Sequence, residues 1–311
     1  MSTLTEIELA TIEVIAGDLS VDPSFIEKDW YSMRLIAALL TVNDPNFRLV
    51  FSGGTSLSKG FNLIKRFSED IDFKVISLTP SNRNKRGQYR DQIVEAIRLL
   101  DLDCSLNKDD IVSKNENQFF QFTVNYSSQF TLSTALRPYI KVEITIVSTE
   151  FTYEEKPLQS FLSQALDNQP EVSSIPCVSP LETAADKLSA LTWRLLEREA
   201  GGTKYHPTDI RHLHDLAALE NIIVTNKKFS DLIFPALEND ATRAKKINLS
   251  EIQPLERLQR ASSCLKNNPI YEQEYQSFVI AMSYAAEDEK LSFKKALSRL
   301  DNIIKSLNNI V

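Results

Sequence analysis

The chain has 311 residues, 42% of them hydrophobic and 25% charged, which is ordinary globular composition and enough length for roughly two domains. No apolar run approaches the ~20 residues of a membrane helix, and the N-terminus MSTLTEIELA has neither a basic start nor an apolar signal core, so the expectation is a cytoplasmic protein with no membrane partner. The formal charge of −7 means that a nucleic-acid partner would have to be met by local basic clusters, for which Lys59–Lys65–Arg66, Arg83–Lys85–Arg86–Arg90 and Arg243–Lys245–Lys246 are the candidates.

In chain order, Leu4, Ile7, Ala10 and Ile15 recur at helical spacing over residues 4–16. Asp22 and Pro23 supply an N-cap and a first-turn proline for a second helix, which runs through Val42. Asn43–Asp44–Pro45–Asn46 reads as a turn. Leu49–Phe51 is short and β-prone, and Gly53–Gly54 stops it. Thr55–Ile64 predicts a helix with Leu57, Phe61 and Ile64 on one side. Asp70–Val75, DIDFKV, alternates as a strand does. Ser77–Gly87 is polar and rich in turn residues, and predicts a mobile loop before an amphipathic helix over Gln88–Leu102. Phe119–Tyr126 and Tyr139–Val147 alternate as strands. Pro180–Arg198, Pro207–Leu219, Lys227–Leu237, Tyr271–Ala286 and Phe293–Leu307 then read as helices. The predicted fold class is α+β: a mixed β-sheet flanked by helices over residues 1–175, followed by an all-helical domain over residues 176–311.

Three cysteines, Cys104, Cys177 and Cys264, lie far apart without CxxC spacing, which argues against a disulfide framework and a zinc site. His206, His212 and His214 sit within nine residues, but that helix shows too few further ligands for zinc. They read as solvated or hydrogen-bonded residues, with His212 the one that could reach a site. Glycine is scarce, and four of the seven form two pairs, Gly53–Gly54 and Gly201–Gly202. In a glycine-poor chain such a pair marks a backbone conformation or close approach that side chains forbid.

Chemistry concentrates between Gly53 and Glu143. Asp70 and Asp72 are two apart on a predicted strand and leave the same face. Carboxylates held that close repel unless a cation lies between them, and oxygen ligands suit magnesium or manganese. Gly53–Gly54–Thr55–Ser56 joins a strand to a helix, where phosphate oxygens can approach the backbone and the two hydroxyls. Glu143 stands in the middle of the apolar strand KVEIT, an expensive place for an acid unless it is paired, metal-bound or on a wet face. A metal-holding acidic pair beside a phosphate-approachable turn is what nucleotidyl transfer from an NTP requires.

Gly53–Phe73, GGTSLSKGFNLIKRFSEDIDF, resembles the first motif of the AbiEii/AbiGii toxin family, which includes the MenT-like toxins and belongs to the DNA polymerase β-like nucleotidyltransferase superfamily. Ile26-Glu27-Lys28-Asp29-Trp30 resembles the segment with which that family often begins. PLETAADKLSALTWR, Pro180–Arg194, resembles its helix with an active-site lysine, here Lys187. RHLHDLAAL, Arg211–Leu219, resembles its RHxxDLxxL helix. The resemblance spans roughly residues 25–220.

The resemblance implies a nucleotidyltransferase-type sheet and a toxin of a toxin–antitoxin or abortive-infection system. Such an enzyme moves NMP from an NTP to an acceptor hydroxyl and releases pyrophosphate. The 3′ end of tRNA is the implied acceptor, with a small molecule or a protein as the alternatives. A further alternative is an NTP-binding partner protein without activity. Asp70 and Asp72 would ligate Mg2+ or Mn2+, with Glu143 as a further ligand or as the base. Gly53, Gly54, Thr55 and Ser56 would meet the nucleotide, Arg66 and Ser68 would orient the acidic strand, and Lys187 would neutralise triphosphate charge. Asp215 would position Lys187 or a phosphate-bound water. Asp209, 22 residues after Lys187, competes for that role with Asp215, 28 after, and flanking residues favour Asp215. A cognate antitoxin is the implied protein partner. Residues 225–311 carry no legible motif.

Overall fold

The computed structural model describes residues 4–147 and 150–308. The chain divides into two compact units that meet at Val178 and Ser179. The first unit holds a mixed sheet with flanking helices and the second is helical, so the α+β class is observed. Among the described residues, no helix is long and apolar enough to cross a membrane.

The first unit opens with helix α1, Glu6–Leu19, and helix α2, Pro23–Leu39. Asp22 caps α2 by accepting from Ser24 N at 2.9 Å, and Pro23 takes the first-turn position where no amide hydrogen is needed. Strand β1, Phe47–Ser52, runs into a three-residue turn of helix, α3, Gly53–Thr55, which continues as a π-type turn over Ser56–Gly60. The helix expected to reach Ile64 therefore stops at Gly60. Asn62 has φ 52°, a left-handed conformation that a helix cannot continue through and that asparagine tolerates.

Strand β2, Asp70–Ser77, leads to helix α4, Arg83–Arg98. The loop expected over Ser77–Gly87 is thus already helical from Arg83. Asn82 starts the helix by accepting from Lys85 N at 3.0 Å, and buried Arg86 fastens that turn by donating to Ser81 O and Glu116 O. Strands β3, Cys104–Ser105, β4, Ile111–Lys114, β5, Phe119–Tyr126, β6, Tyr139–Val147, and β7, Tyr153–Leu158, follow. Helix α5, Phe161–Ala165, and strand β8, Val172–Val178, complete the unit.

The sheet runs β3-β5-β6-β2-β1-β8-β7, with β4 also on β5. β2 is central, antiparallel to β1 and parallel to β6. Its residues alternate between two faces. Ile71, Phe73 and Val75 are buried and meet Phe51, Phe120, Phe122, Val142 and Ile144 in the core. Asp70, Asp72 and Lys74 leave the other face, where Lys141 and Glu143 of β6 stand beside them. Burial on one face fixes the register, because a one-residue slip would turn the core outward.

In the second unit helix α6, Pro180–Glu199, starts at the Ser179 cap, whose hydroxyl accepts from Glu182 N at 3.3 Å. Helices α7, Arg211–Ala218, α8, Glu220–Thr225, α9, Phe229–Ala241, α10, Pro254–Asn267, α11, Ile270–Phe278, and α12, Phe293–Asn308, follow. α6 packs against α7, α9 and α10. Arg257 of α10 is 1% exposed and donates to Ile252 O at 2.7 Å and Leu237 O at 2.9 Å, which satisfies a charge few cores accept. The helix expected over Tyr271–Ala286 ends at Phe278, and residues 280–282 form a separate 3-10 turn.

Candidate active site

β2 and β6 bring the sequence's acids together. The parallel register sets Asp70 opposite Lys141 and Asp72 opposite Glu143, so two acids from one strand and an acid with a lysine from the next share a face. On the other side of β2, Ser52 lies opposite Asp72, and the chain leaves β1 there into Gly53.

Both glycines are required by close approach. Gly53 has φ +75°, and a Cβ on it would lie 2.1 Å from Asp72 Oδ2. The Asp72 carboxylate thus occupies the space a side chain would fill. A Cβ on Gly54 would lie 2.9 Å from Ser68 Oγ and 3.2 Å from Arg66 Nη2. Arg66 is buried and donates to Phe67 O at 3.0 Å, so it and Ser68 wall the turn from behind. Thr55 Oγ1 donates to Asp70 O at 2.6 Å and ties the turn to the acidic strand. Ser56 is fully buried with the Cys177 thiol beside its hydroxyl. The Thr55 hydroxyl is therefore engaged in the fold, whereas the Ser56 hydroxyl is buried away from the open side of the turn.

Two cations that sequence reasoning did not single out complete the acidic face. Arg137 Nη2 donates to Asp70 Oδ1 at 2.8 Å. Lys141 Nζ lies 3.0 Å from Glu143 Oε1 and 3.4 Å from Asp70 Oδ1. Burial lowers the affinity of Lys141 for its proton, but Asp70 and then Glu143 outweigh it and hold the ammonium above its usual range. Lys141 had a readable signal, since it stands two residues before Glu143 on a strand and must share its face. Arg137 had none, because its contact with Asp70 is made across 67 positions.

The segment Glu27-Lys28-Asp29 buries three consecutive charges in α2, each fastening a different loop. Glu27 accepts from Ser128 Oγ and from Gln129 N. Lys28 Nζ donates to Glu69 Oε1 at 3.1 Å and to Arg137 O at 2.7 Å, while Arg137 N donates to Glu69 Oε1 at 2.7 Å. Asp29 lies 2.8 Å from Lys59 Nζ and accepts from Phe161 N at 2.9 Å. Burial pushes Asp29 above and Lys59 below their usual ranges. Arg66 and Arg86, expected as members of basic surface clusters, are thus buried in the fold, and the Lys59 side chain is largely covered by its pairing with Asp29.

The second unit presents its own charged group. Lys187 Nζ lies 2.9 Å from Asp215 Oδ2, and Asp215 is fully buried. His214 Nδ1 lies 3.2 Å from Asp215 Oδ1. Asp209 is engaged elsewhere: it accepts from His206 N at 2.8 Å at the start of a 3-10 turn and pairs with Arg194. Of the two candidate acids, Asp215 is therefore the one that holds Lys187. His212 lies next to this group in sequence and is half-buried.

Among the described residues no three His, Cys, Asp or Glu side chains converge on a metal position. Lys141 stands between Asp70 and Glu143. The donors nonetheless fit magnesium, which is commonly held by one or two carboxylates together with substrate phosphates and needs no complete protein cage. Asp72 and Glu143, opposite each other on adjacent strands, supply such a pair.

The fold has a solved counterpart. MenT4, a nucleotidyltransferase toxin from Mycobacterium tuberculosis, aligns over 96% of this chain and 99% of its own with a TM-score of 0.50 and 15% sequence identity. No curated protein is a sequence match. The family profile described as nucleotidyl transferase AbiEii toxin, type IV toxin–antitoxin system, matches residues 34–301. With most of its length matched, this chain belongs to the AbiEii family of nucleotidyl transferase toxins.

Proposed function

We propose that the chain transfers NMP from an NTP to the hydroxyl at the 3′ end of tRNA, and that Asp70, Asp72 and Glu143 form the reacting face. The observation that carries this reading is the Asp72 carboxylate lodged against Gly53 with Glu143 in register beside it. The acceptor oxygen attacks the α-phosphorus as the bond to the β-phosphate oxygen breaks, and pyrophosphate leaves in line. Asp72 and Glu143, with Asp70 next to them, would hold Mg2+ or Mn2+, which when bound neutralises phosphate charge and lowers the pKa of the attacking hydroxyl. A carboxylate has two oxygens, so Glu143 also has one with which to take the acceptor proton.

The glycine turn admits triphosphate oxygens close to the backbone. The family resemblance gives Lys187 the role of a triphosphate cation, and within its own unit the contact with buried Asp215 fixes the ammonium. Arg137, Lys141 and Lys74 put three cations on or beside a face with three acids, so in a chain whose total charge is −7 this face is close to balanced toward a polyanionic acceptor. Membership of a type IV toxin–antitoxin family implies a cognate antitoxin that restrains this activity.

Label transfer tests the reading. The protein is incubated with magnesium and each α-labelled NTP, with total RNA, protein or aminoglycosides as acceptors. The label is expected in RNA of tRNA size, and D72A abolishes it. Label in an aminoglycoside or in protein would move the acceptor to that class. Tight NTP binding with no transfer to any acceptor would make the chain a nucleotide-binding partner protein instead.

A further inference from the structure

Three carboxylates on one sheet face repel one another, and this chain carries its own cation against that repulsion. Lys141 lies between Glu143 Oε1, at 3.0 Å, and Asp70 Oδ1, at 3.4 Å. One ammonium thus occupies Glu143, the acid that a divalent ion held together with Asp72 would need. We propose that Lys141 is a resident counter-ion that the divalent ion must displace from Glu143, and that NTP drives the exchange by offering the released ammonium a phosphate. The inference rests on the nucleotidyl-transfer reading of this face and adds a coupling between metal and nucleotide.

The surroundings separate an exchangeable cation from a fixed one. Arg137 is held at three points: its N–H donates to Glu69, its carbonyl accepts from buried Lys28, and its guanidinium donates to Asp70. Lys141 is a compact charge on a flexible four-carbon stem, and a rotamer change carries it off the carboxylate. Its side chain is 23% exposed and that of Glu143 30%, so water reaches the pair and the cost of parting it is less than for a pair shut away from solvent. When Lys141 leaves, Asp70 keeps Arg137 while Glu143 loses its lysine. The exchange therefore unmasks Glu143, next to Asp72, and leaves Asp70 neutralised.

A metal arriving alone has to break the Lys141 contacts without compensation, whereas a metal arriving with NTP brings phosphate oxygens for the ammonium. Linkage makes the effect reciprocal: nucleotide tightens metal binding by the factor by which metal tightens nucleotide binding.

The test is Mn2+ binding followed by the loss of free-ion paramagnetic resonance signal, in wild type, K141M, K141Q and D72A. Each is measured without nucleotide and with a mixture of the four α,β-methylene NTPs. Far-ultraviolet circular dichroism checks that each variant is folded, and two substitutions of different polarity guard against one misfolding. K141M and K141Q are expected to bind nucleotide-free Mn2+ roughly tenfold tighter than wild type, and their Mn2+ and analogue affinities should depend less on each other, on the usual scale of such couplings. Nucleotide-free Mn2+ binding by folded Lys141 variants that is no tighter than wild type overturns the counter-ion role, while a loss in D72A leaves the metal site standing. Mn2+ binding that D72A does not change, with or without the analogue, overturns the site reading and the counter-ion with it.

Discussion

The Lys141–Glu143 contact in the first unit and the Lys187–Asp215 contact in the second are nearly identical in length, 3.0 and 2.9 Å. Burial separates them: the side chains are 23% and 30% exposed in the first pair, 9% and 0% in the second. Distance alone therefore says little about what an ion pair does. A wetted pair gains little and can trade partners, whereas a buried pair cannot lose one member without stranding a charge away from water. A lysine and a carboxylate thus give an adjustable contact on the acidic face and a fixed one in the helical unit.

The largest stability effect should come from the fixed pair. K187M takes the lysine from fully buried Asp215, which keeps the His214 contact, and is expected to cost about 3–5 kcal/mol in denaturant unfolding, and K187M/D215L should recover most of it. A K187M loss as small as that of a surface variant would break the comparison.

Next comes G53A, which places a side chain at φ +75° and in the space of the Asp72 carboxylate. The left-handed backbone alone is worth about 1–2 kcal/mol. Asp72 must also turn aside, so both a lower melting temperature and a loss of transfer are expected. A G53A protein that keeps full transfer would show that Asp72 does not need its seat. K141M should shift unfolding by about 1 kcal/mol or less, the ordinary worth of a wetted pair. A cost near that of K187M would show Lys141 to be structural.

The smallest effect involves a buried thiol. Burial pushes the Cys177 thiol up to about 11, although the Ser56 hydroxyl works against it. With the folded value above the ordinary 9.0, the neutral thiol favours the fold at low and neutral pH, and this contribution fades as pH rises from 9.0 through about 11. Native alkylation at pH 8, read by mass spectrometry, should therefore modify half-buried Cys104 and Cys264 before Cys177. Equal rates at all three would mean that the turn over Cys177 opens readily.

What was legible in the sequence followed the strength of the local signal. The DIDF alternation set Asp70 and Asp72 on one face, and Glu143 was conspicuous as an acid within an apolar strand. The Asp22–Pro23 cap fixed the start of α2. β7 and β8 were missed because Pro157 and Pro176 interrupt them and three charges crowd YEEKPL. Glu27-Lys28-Asp29 reads locally as solvated polar helix. Its burial depends on Ser128, Glu69 and Lys59, which lie far away in the chain and find these partners only in the folded unit. The tie of the Thr55 hydroxyl to Asp70 O was hidden for a similar reason, since that carbonyl belongs to β2, 15 residues on.

The central claim is that the face bearing Asp70, Asp72 and Glu143 transfers nucleotides. Its most direct measurement is the initial rate of label incorporation into tRNA from an α-labelled NTP, compared between wild type and D72N, a near-isosteric change that keeps the seat against Gly53 filled. Loss of one charged group from a transition-state site predicts a fall on the order of 10³-fold with little change in melting temperature. A folded D72N protein that labels tRNA at the wild-type rate would contradict the claim.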